Sequence, residues 1–151
     1  AGVVLSGPAL DTSAVSRAQR ILAAGLNRVV PNFGALQLSS SDVSRDPAVV
    51  QDYDNDPLNY RGKIPVRTLA EAIAVYDKIV PRLPDLRLPL LLVHGTEDSL
   101  APIGGSHLVA ERVGSSDLTT KYYDGLYHEV LNEPEKDQVI DDVLAWLDAH
   151  R

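Results

Sequence analysis

The chain has 151 residues and no cysteine or methionine, with a single tryptophan and a single phenylalanine. Without cysteine there is no disulfide, no thiolate nucleophile and no thiolate metal site. The four histidines, His94, His107, His128 and His150, have none of the spacings that chelate zinc, so neither a metal nor another cofactor is expected. No apolar run approaches the roughly 20 residues that cross a bilayer, and no charged-then-apolar leader opens the chain. The expected location is cytoplasmic or peripheral to a membrane, with no N-terminal targeting information visible. A net charge of -7 disfavours nucleic acid as a partner.

A hydrophobic content of 44% over this length suits one domain with a real core. Charge is unevenly spread. From Thr12 to Arg45, four arginines (Arg17, Arg20, Arg28, Arg45) stand against Asp42, a balance of +3 that leaves -10 for the remainder.

Gly2 to Ser6 reads as a short buried strand stopped by Gly7-Pro8. Asp11-Thr12-Ser13 is the expected cap of a helix from about Ala14 to Val30, with Ala18, Leu22, Leu26, Val29 and Val30 recurring at helical spacing, ended by Pro31. That stripe packs on a core or faces lipid or substrate as a lid. Residues 32–63 read as irregular, punctuated by Asp46-Pro47, Asp56-Pro57 and Gly62, which is long for a compact domain without a functional reason. A helix over 66–79 leads to a strand over 88–93. A helix over 103–113 and a strand over 118–123 follow. Asn132 with Glu135 then offers a capping box for a terminal helix whose apolar face is Val139, Ile140, Val143, Leu144, Trp146 and Leu147.

Strands alternating with helices imply a parallel sheet covered by helices. The expected divisions are a core strand in residues 1–10, an inserted cap in 11–64, and the C-terminal part of the core in 65–151. A parallel sheet of about three strands is short, since central strands are normally flanked on both sides. The chain therefore reads as the second half of a larger α/β domain.

The run Leu88 to Val93, His94, Gly95, then Asp98, puts an acid just past the C-terminal end of a strand, where open α/β sheets keep their working residues. His128 follows the next strand. One βαβ unit would bring both to a single rim, where the acid can hold the histidine tautomer that accepts a proton and stabilise the imidazolium that forms. The plain structural alternatives are a turn-capping aspartate and a loop histidine. Glu97 and Asp124 compete for the acid role with poorer turn geometry.

Val93-His94-Gly95-Thr96-Glu97-Asp98 through Pro102, with Tyr127-His128-Glu129, resembles the acid and histidine segments of the α/β-hydrolase family. With Leu5-Ser6-Gly7-Pro8, Asp56-Pro57-Leu58 and Arg61-Gly62-Lys63, the whole chain is similar to monoacylglycerol lipases, especially bacterial ones. The resemblance implies a Ser–Asp–His triad, with Asp98 as acid and His128 as base, in an enzyme that hydrolyses carboxylic esters. The family's serine lies in a G-x-S-x-G elbow ahead of the acid. No such elbow occurs here; Gly104-Gly105-Ser106 falls after Asp98 and lacks the final glycine. The implied nucleophile lies upstream, the implied partner is the N-terminal half of the same enzyme, and the chain alone is expected to be inactive.

The implied substrate is a lipid ester, with Leu22, Leu26, Val29, Val30, Phe33, Leu36 and Leu38 of the cap lining its acyl channel. Roughly ten methylenes would contribute on the order of 8 kcal/mol of gross binding. Arg17, Arg20 and Arg28 beside that face suggest peripheral contact with anionic lipid. Other chemistries of the same fold (epoxide hydrolase, dehalogenase, thioesterase, peptidase) and a noncatalytic interaction fragment are the alternatives.

Overall fold

The structure is a computed structural model and describes residues 1–11 and 15–151. Its centre is β4 (Leu90–Gly95), in which every residue is buried. β1 (Val3–Ser6) pairs with it in parallel from Val3 opposite Leu90 to Ser6 opposite Val93. On the other side β5 (Leu118–Tyr123) pairs in parallel from Leu90–Leu118 to Gly95–Tyr123. The expected strand over 88–93 thus begins two residues late. Pro89 has no N–H to give to a ladder, and its carbonyl serves only to accept from Val3 N.

Side chains of β4 alternate between faces, so Leu91 and Val93 pack with Val139 and Trp146 of α5 (Lys136–Ala149). Leu90 and Leu92 pack with Val109 of α4 (Gly104–Arg112) and with Leu83. Each of these four fully buried side chains contributes about 2 kcal/mol relative to exposure. Helices cover both faces of this three-stranded parallel sheet, the layering expected of an α/β domain.

The intervening segment carries α1 (Arg17–Val29), β2 (Gly34–Leu36), α2 (Pro47–Asn55) and β3 (Ile64–Pro65), and leads into α3 (Val66–Ile79). β2 and β3 form an antiparallel pair. α1 begins at Ser16, which accepts from Gln19 N while the Gln19 side chain accepts from Ser16 N. This capping box lies past the Asp11-Thr12-Ser13 cap read from the sequence, of which Thr12 and Ser13 lie outside the described residues. α2 falls within the stretch read as irregular. Asp46 accepts from Ala48 N and Pro47 sits at the first helical position, so the pair read as turn punctuation is a helix start.

A further expectation is corrected. The Asn132–Glu135 capping box does not form. Asn132 ends a 3-10 turn, and α5 starts four residues later without a side-chain cap. The α1 stripe does not pack on a core, the first of its two readings, but is exposed, as the lid reading allows. α1 lies against α3, with Arg20 paired to Asp77, and Ala23, Ala24, Ala70, Ile73 and Ala74 line a small cavity between the two helices. Ile21, Leu22, Leu26 and Val29 point away from that contact and are exposed.

Candidate active site

The turn after β4 is held by the neighbouring strand's loop. Thr96 N donates to Tyr123 O, Glu97 N to Leu126 O, and Gly125 N to the Thr96 hydroxyl. At Gly95 a Cβ would lie 2.2 Å from Leu126 O and 2.3 Å from Tyr127 O, so glycine is what lets the loop before His128 cross the strand end. The two rim loops, far apart in sequence, form one unit.

Within it Asp98 and His128 meet. His128 Nδ1 is 2.7 Å from Asp98 Oδ2. The Asp98 side chain is inaccessible, whereas His128 keeps 34% of its side chain exposed, enough for a reacting group to reach it. Asp98 Oδ1 accepts from Leu100 N at 2.9 Å and Ala101 N at 2.8 Å. Burial alone would raise the Asp98 pKa. The hydrogen bonds from His128, His94 and Ala101 N outweigh it and hold the carboxyl well below its usual range. His128 is raised from its ordinary value, first by the hydrogen bond to Asp98, against the opposing effect of burial, with Glu129 adding through space. An anionic acid fixes Nδ1–H, which leaves Nε2 as the atom that exchanges a proton with a reactant.

β1 closes the site from the other side. Gly7 has φ +52°, and a Cβ there would stand 3.1 Å from His128 Cε1 and 3.4 Å from Asp98 Oδ2, so both its conformation and its space require glycine. The competing acids are elsewhere: Asp124 accepts from the Thr96 hydroxyl at 3.3 Å, and Glu97 has no side-chain bond to either histidine among the described residues.

A further set of buried polar residues escaped the sequence reading. Glu133, fully buried, accepts from Arg45 N at 3.0 Å and Tyr127 N at 3.1 Å through Oε1, and from Arg45 Nε at 2.8 Å through Oε2. The Arg45 pKa is raised, mainly by that hydrogen bond. Ser44 donates to Asn132 O, and Glu129 N donates to Val43 O. The segment 43–45 is therefore clasped to the loop bearing His128. The sequence carries no signal for this pair, because the two residues lie 88 positions apart.

Of the seven candidate substrate residues, Leu38 lines a cavity of about 310 Å³ with Tyr53, Tyr60, Arg61 and Leu100, two residues beyond Asp98. All seven are exposed, Leu38 included at 47% and Val29 most of all at 78%. Arg20, grouped with Arg17 and Arg28 as a lipid contact, is instead committed to Asp77 at 2.7 Å. No cluster of potential metal ligands occurs among the described residues, and no helix among them is long and apolar enough to cross a membrane.

A parallel sheet with an acid after one strand and a histidine bonded to it after the next defines an α/β hydrolase. The comparisons with known proteins narrow the class. Residues 1–135 match the model of the Hydrolase_4 family, described as serine aminopeptidase, S33, and the chain belongs to that family. It is 42% identical over 149 residues to a monoacylglycerol lipase of Mycolicibacterium smegmatis, covering 98% of this chain and 53% of that protein. It is 36% identical to a monoglyceride lipase of Mus musculus, covering 99% of this chain and 50% of that one. The crystal structure of a Paleococcus ferrophilus monoacylglycerol lipase superposes with a TM-score of 0.85 at 28% identity, over 99% of this chain and 59% of the other. The chain spans about half the length of the curated relatives it matches.

Proposed function

We propose that this chain supplies the acid, Asp98, and the base, His128, of a Ser–Asp–His triad in a carboxylic ester hydrolase acting on monoacylglycerols, with the nucleophilic serine in an upstream part of the longer protein. The observation that carries the reading is the 2.7 Å bond between buried Asp98 and accessible His128. The names of the relatives support the substrate class. Ser106 is not the nucleophile, because it is fully buried.

In this reaction His128 Nε2 takes the proton of the serine hydroxyl as its oxygen attacks the ester carbonyl. Asp98 stabilises the imidazolium. His128 then returns the proton to the departing glycerol oxygen, and water attacks the acyl-enzyme by the same route. Two triad members without the nucleophile perform none of this, so residues 1–151 alone are inactive.

Residues 11–64 act in this reading as a cap over a core formed by residues 1–10 and 65–151 together with the N-terminal half of the same enzyme. The exposed apolar residues Leu22, Leu26, Val29, Val30, Phe33 and Leu36 meet the acyl chain or a lipid surface, and Leu38 reaches the cavity beside the rim. Arg17 and Arg28 add charge attraction to anionic lipid at the membrane periphery.

The family description favours a second reading, since the same triad cleaves amides. Assaying the full-length protein on a monoacylglycerol, a phospholipid and an aminoacyl anilide separates them. The expected result is a kcat/KM highest on the monoacylglycerol. Cleavage of the anilide without ester turnover would establish the peptidase instead.

A further inference from the structure

The triad acid has a second imidazole behind it. His94, the fifth residue of β4, is fully buried, as is Ser106 on α4. His94 Nε2 lies 2.7 Å from Ala101 O and 3.1 Å from Asp98 Oδ2, and its Nδ1 lies 2.6 Å from Ser106 Oγ. A carbonyl and a carboxylate only accept, so Nε2 carries the proton and donates to both. In the neutral ring the Ser106 hydroxyl donates to Nδ1. Every polar atom of the ring then has a partner: the two acceptors at Nε2 fix the tautomer, and Ser106, bonded to the other ring nitrogen, holds the ring's orientation.

This serine, histidine and aspartate have the composition of a triad, but no reactant reaches a serine with no accessible surface. What the arrangement does is divide one oxygen. Asp98 Oδ2 accepts from His128 Nδ1 and from His94 Nε2, while Oδ1 is occupied by the two backbone N–H groups of residues 100 and 101. A carboxylate fixed by four donors cannot rotate away from His128. An oxygen that already accepts a second N–H also attracts the proton of His128 less strongly than a free one.

We propose that His94, held in place by Ser106, is a positioning residue for the triad acid: it locks the Asp98 carboxylate toward His128 and moderates how strongly Asp98 holds the His128 imidazolium. The inference rests on the triad reading above. Its consequence is that His128 releases its proton at a lower pH than a triad with a singly engaged Oδ2 would allow. The groups acting on His128 are Asp98 and, through space, Glu129; β1 presents uncharged Gly7. Those acting on His94 are Asp98, the Ala101 carbonyl and the Ser106 hydroxyl.

Two substitutions separate the ends of the ring. His94→Gln places an amide N–H near Nε2 and keeps the donor to Asp98. His94→Asn reaches only as far as Nδ1, keeping a partner for Ser106 and losing Asp98. The full-length protein is labelled with [15N]histidine and the His128 resonance is titrated by NMR, beside the pH profile of kcat/KM on a soluble ester. The expected result is that His94→Asn moves the His128 titration and the acid limb of the profile to higher pH, by about half a pH unit or more, with His94→Gln close to the parent. An unmoved or lowered titration in His94→Asn, or equal displacement in both variants, would overturn the inference. If either variant does not fold, Ser106→Ala serves in its place: freeing the ring loosens its hold on Oδ2, and a displacement in the same direction is expected, against none if His94 only fills space. The NMR titration reads the effect of His94 on His128 whether or not the protein hydrolyses esters, so failure of the ester assay in the parent protein would count against the triad reading alone.

Discussion

Asp98 Oδ2 lies 2.7 Å from His128 Nδ1 across thirty residues of chain, and the two groups titrate in opposite directions. The Asp98 pKa is depressed from its ordinary 3.8. The stability it contributes is present above about pH 4 and is lost as pH falls below it. The His128 pKa is raised from 6.5. Its contribution is complete below about pH 6.5 and is lost as pH rises through the higher folded-state value.

Stability and activity therefore run against each other near neutrality. Thermal unfolding of the full-length protein is expected to show the pair's contribution greatest between about pH 4 and 6.5. The acid limb of kcat/KM is expected to have its midpoint above 6.5, as His128 becomes neutral. Asp98→Asn removes the stability contribution from that window, and an unchanged stability profile there would count against the coupling.

Gly95→Ala places a methyl group against two backbone carbonyls, atoms that cannot rotate aside. A loss of about 3 kcal/mol or more is expected in denaturant unfolding. Gly7→Ala meets the His128 ring at a positive φ and is expected to cost about 1–2 kcal/mol of stability but activity by 100-fold or more, since a displaced ring misses its reactant by about 1 Å.

Glu133→Gln keeps an acceptor for the Arg45 and Tyr127 N–H groups but turns an amide N–H₂ toward Arg45 Nε. With the site buried, about 1–3 kcal/mol of destabilisation is expected. The clasp between segment 43–45 and the His128 loop opens first, so limited proteolysis near Arg45 accelerates before global unfolding. Cleavage that tracks only global unfolding would show that the clasp has no separate role.

If the cap meets the acyl chain, Leu22→Ser and Phe33→Ser raise KM for long-chain monoacylglycerols by about tenfold each, at roughly 1.5 kcal/mol of lost apolar burial, and leave short-chain esters within about twofold. Equal effects on both chain lengths would remove these residues from the substrate path.

The strand-helix-strand alternation from Leu88 to Tyr123 was legible because a fully apolar run and its stop signals are local. Asp98 and His128 were legible because strand ends in parallel sheets share a rim. His94 carried a signal that was passed over: a polar residue closing an apolar strand must find buried partners. Arg45 and Glu133 had no such signal, since nothing periodic links residues 88 positions apart. The two helix starts at Ser16 and Asp46 carry capping residues, but Ser16 falls inside the helix expected from about Ala14 and Asp46-Pro47 reads equally well as a turn. Periodicity identifies the apolar face of α1 without saying what it meets, so packing on a core and facing lipid or substrate both stay open in the sequence; the structure leaves that face exposed.

The most direct measurement is a double-mutant cycle in the full-length protein on a monoacylglycerol, with Asp98→Asn, His128→Ala and the pair combined. Members of one triad act as a unit, so each single change is expected to lower kcat by about 10³-fold or more, with the double no worse than His128→Ala. Retention of ester hydrolysis by either single variant, or losses that multiply in the double, would show that Asp98 and His128 are not the acid and base of one site.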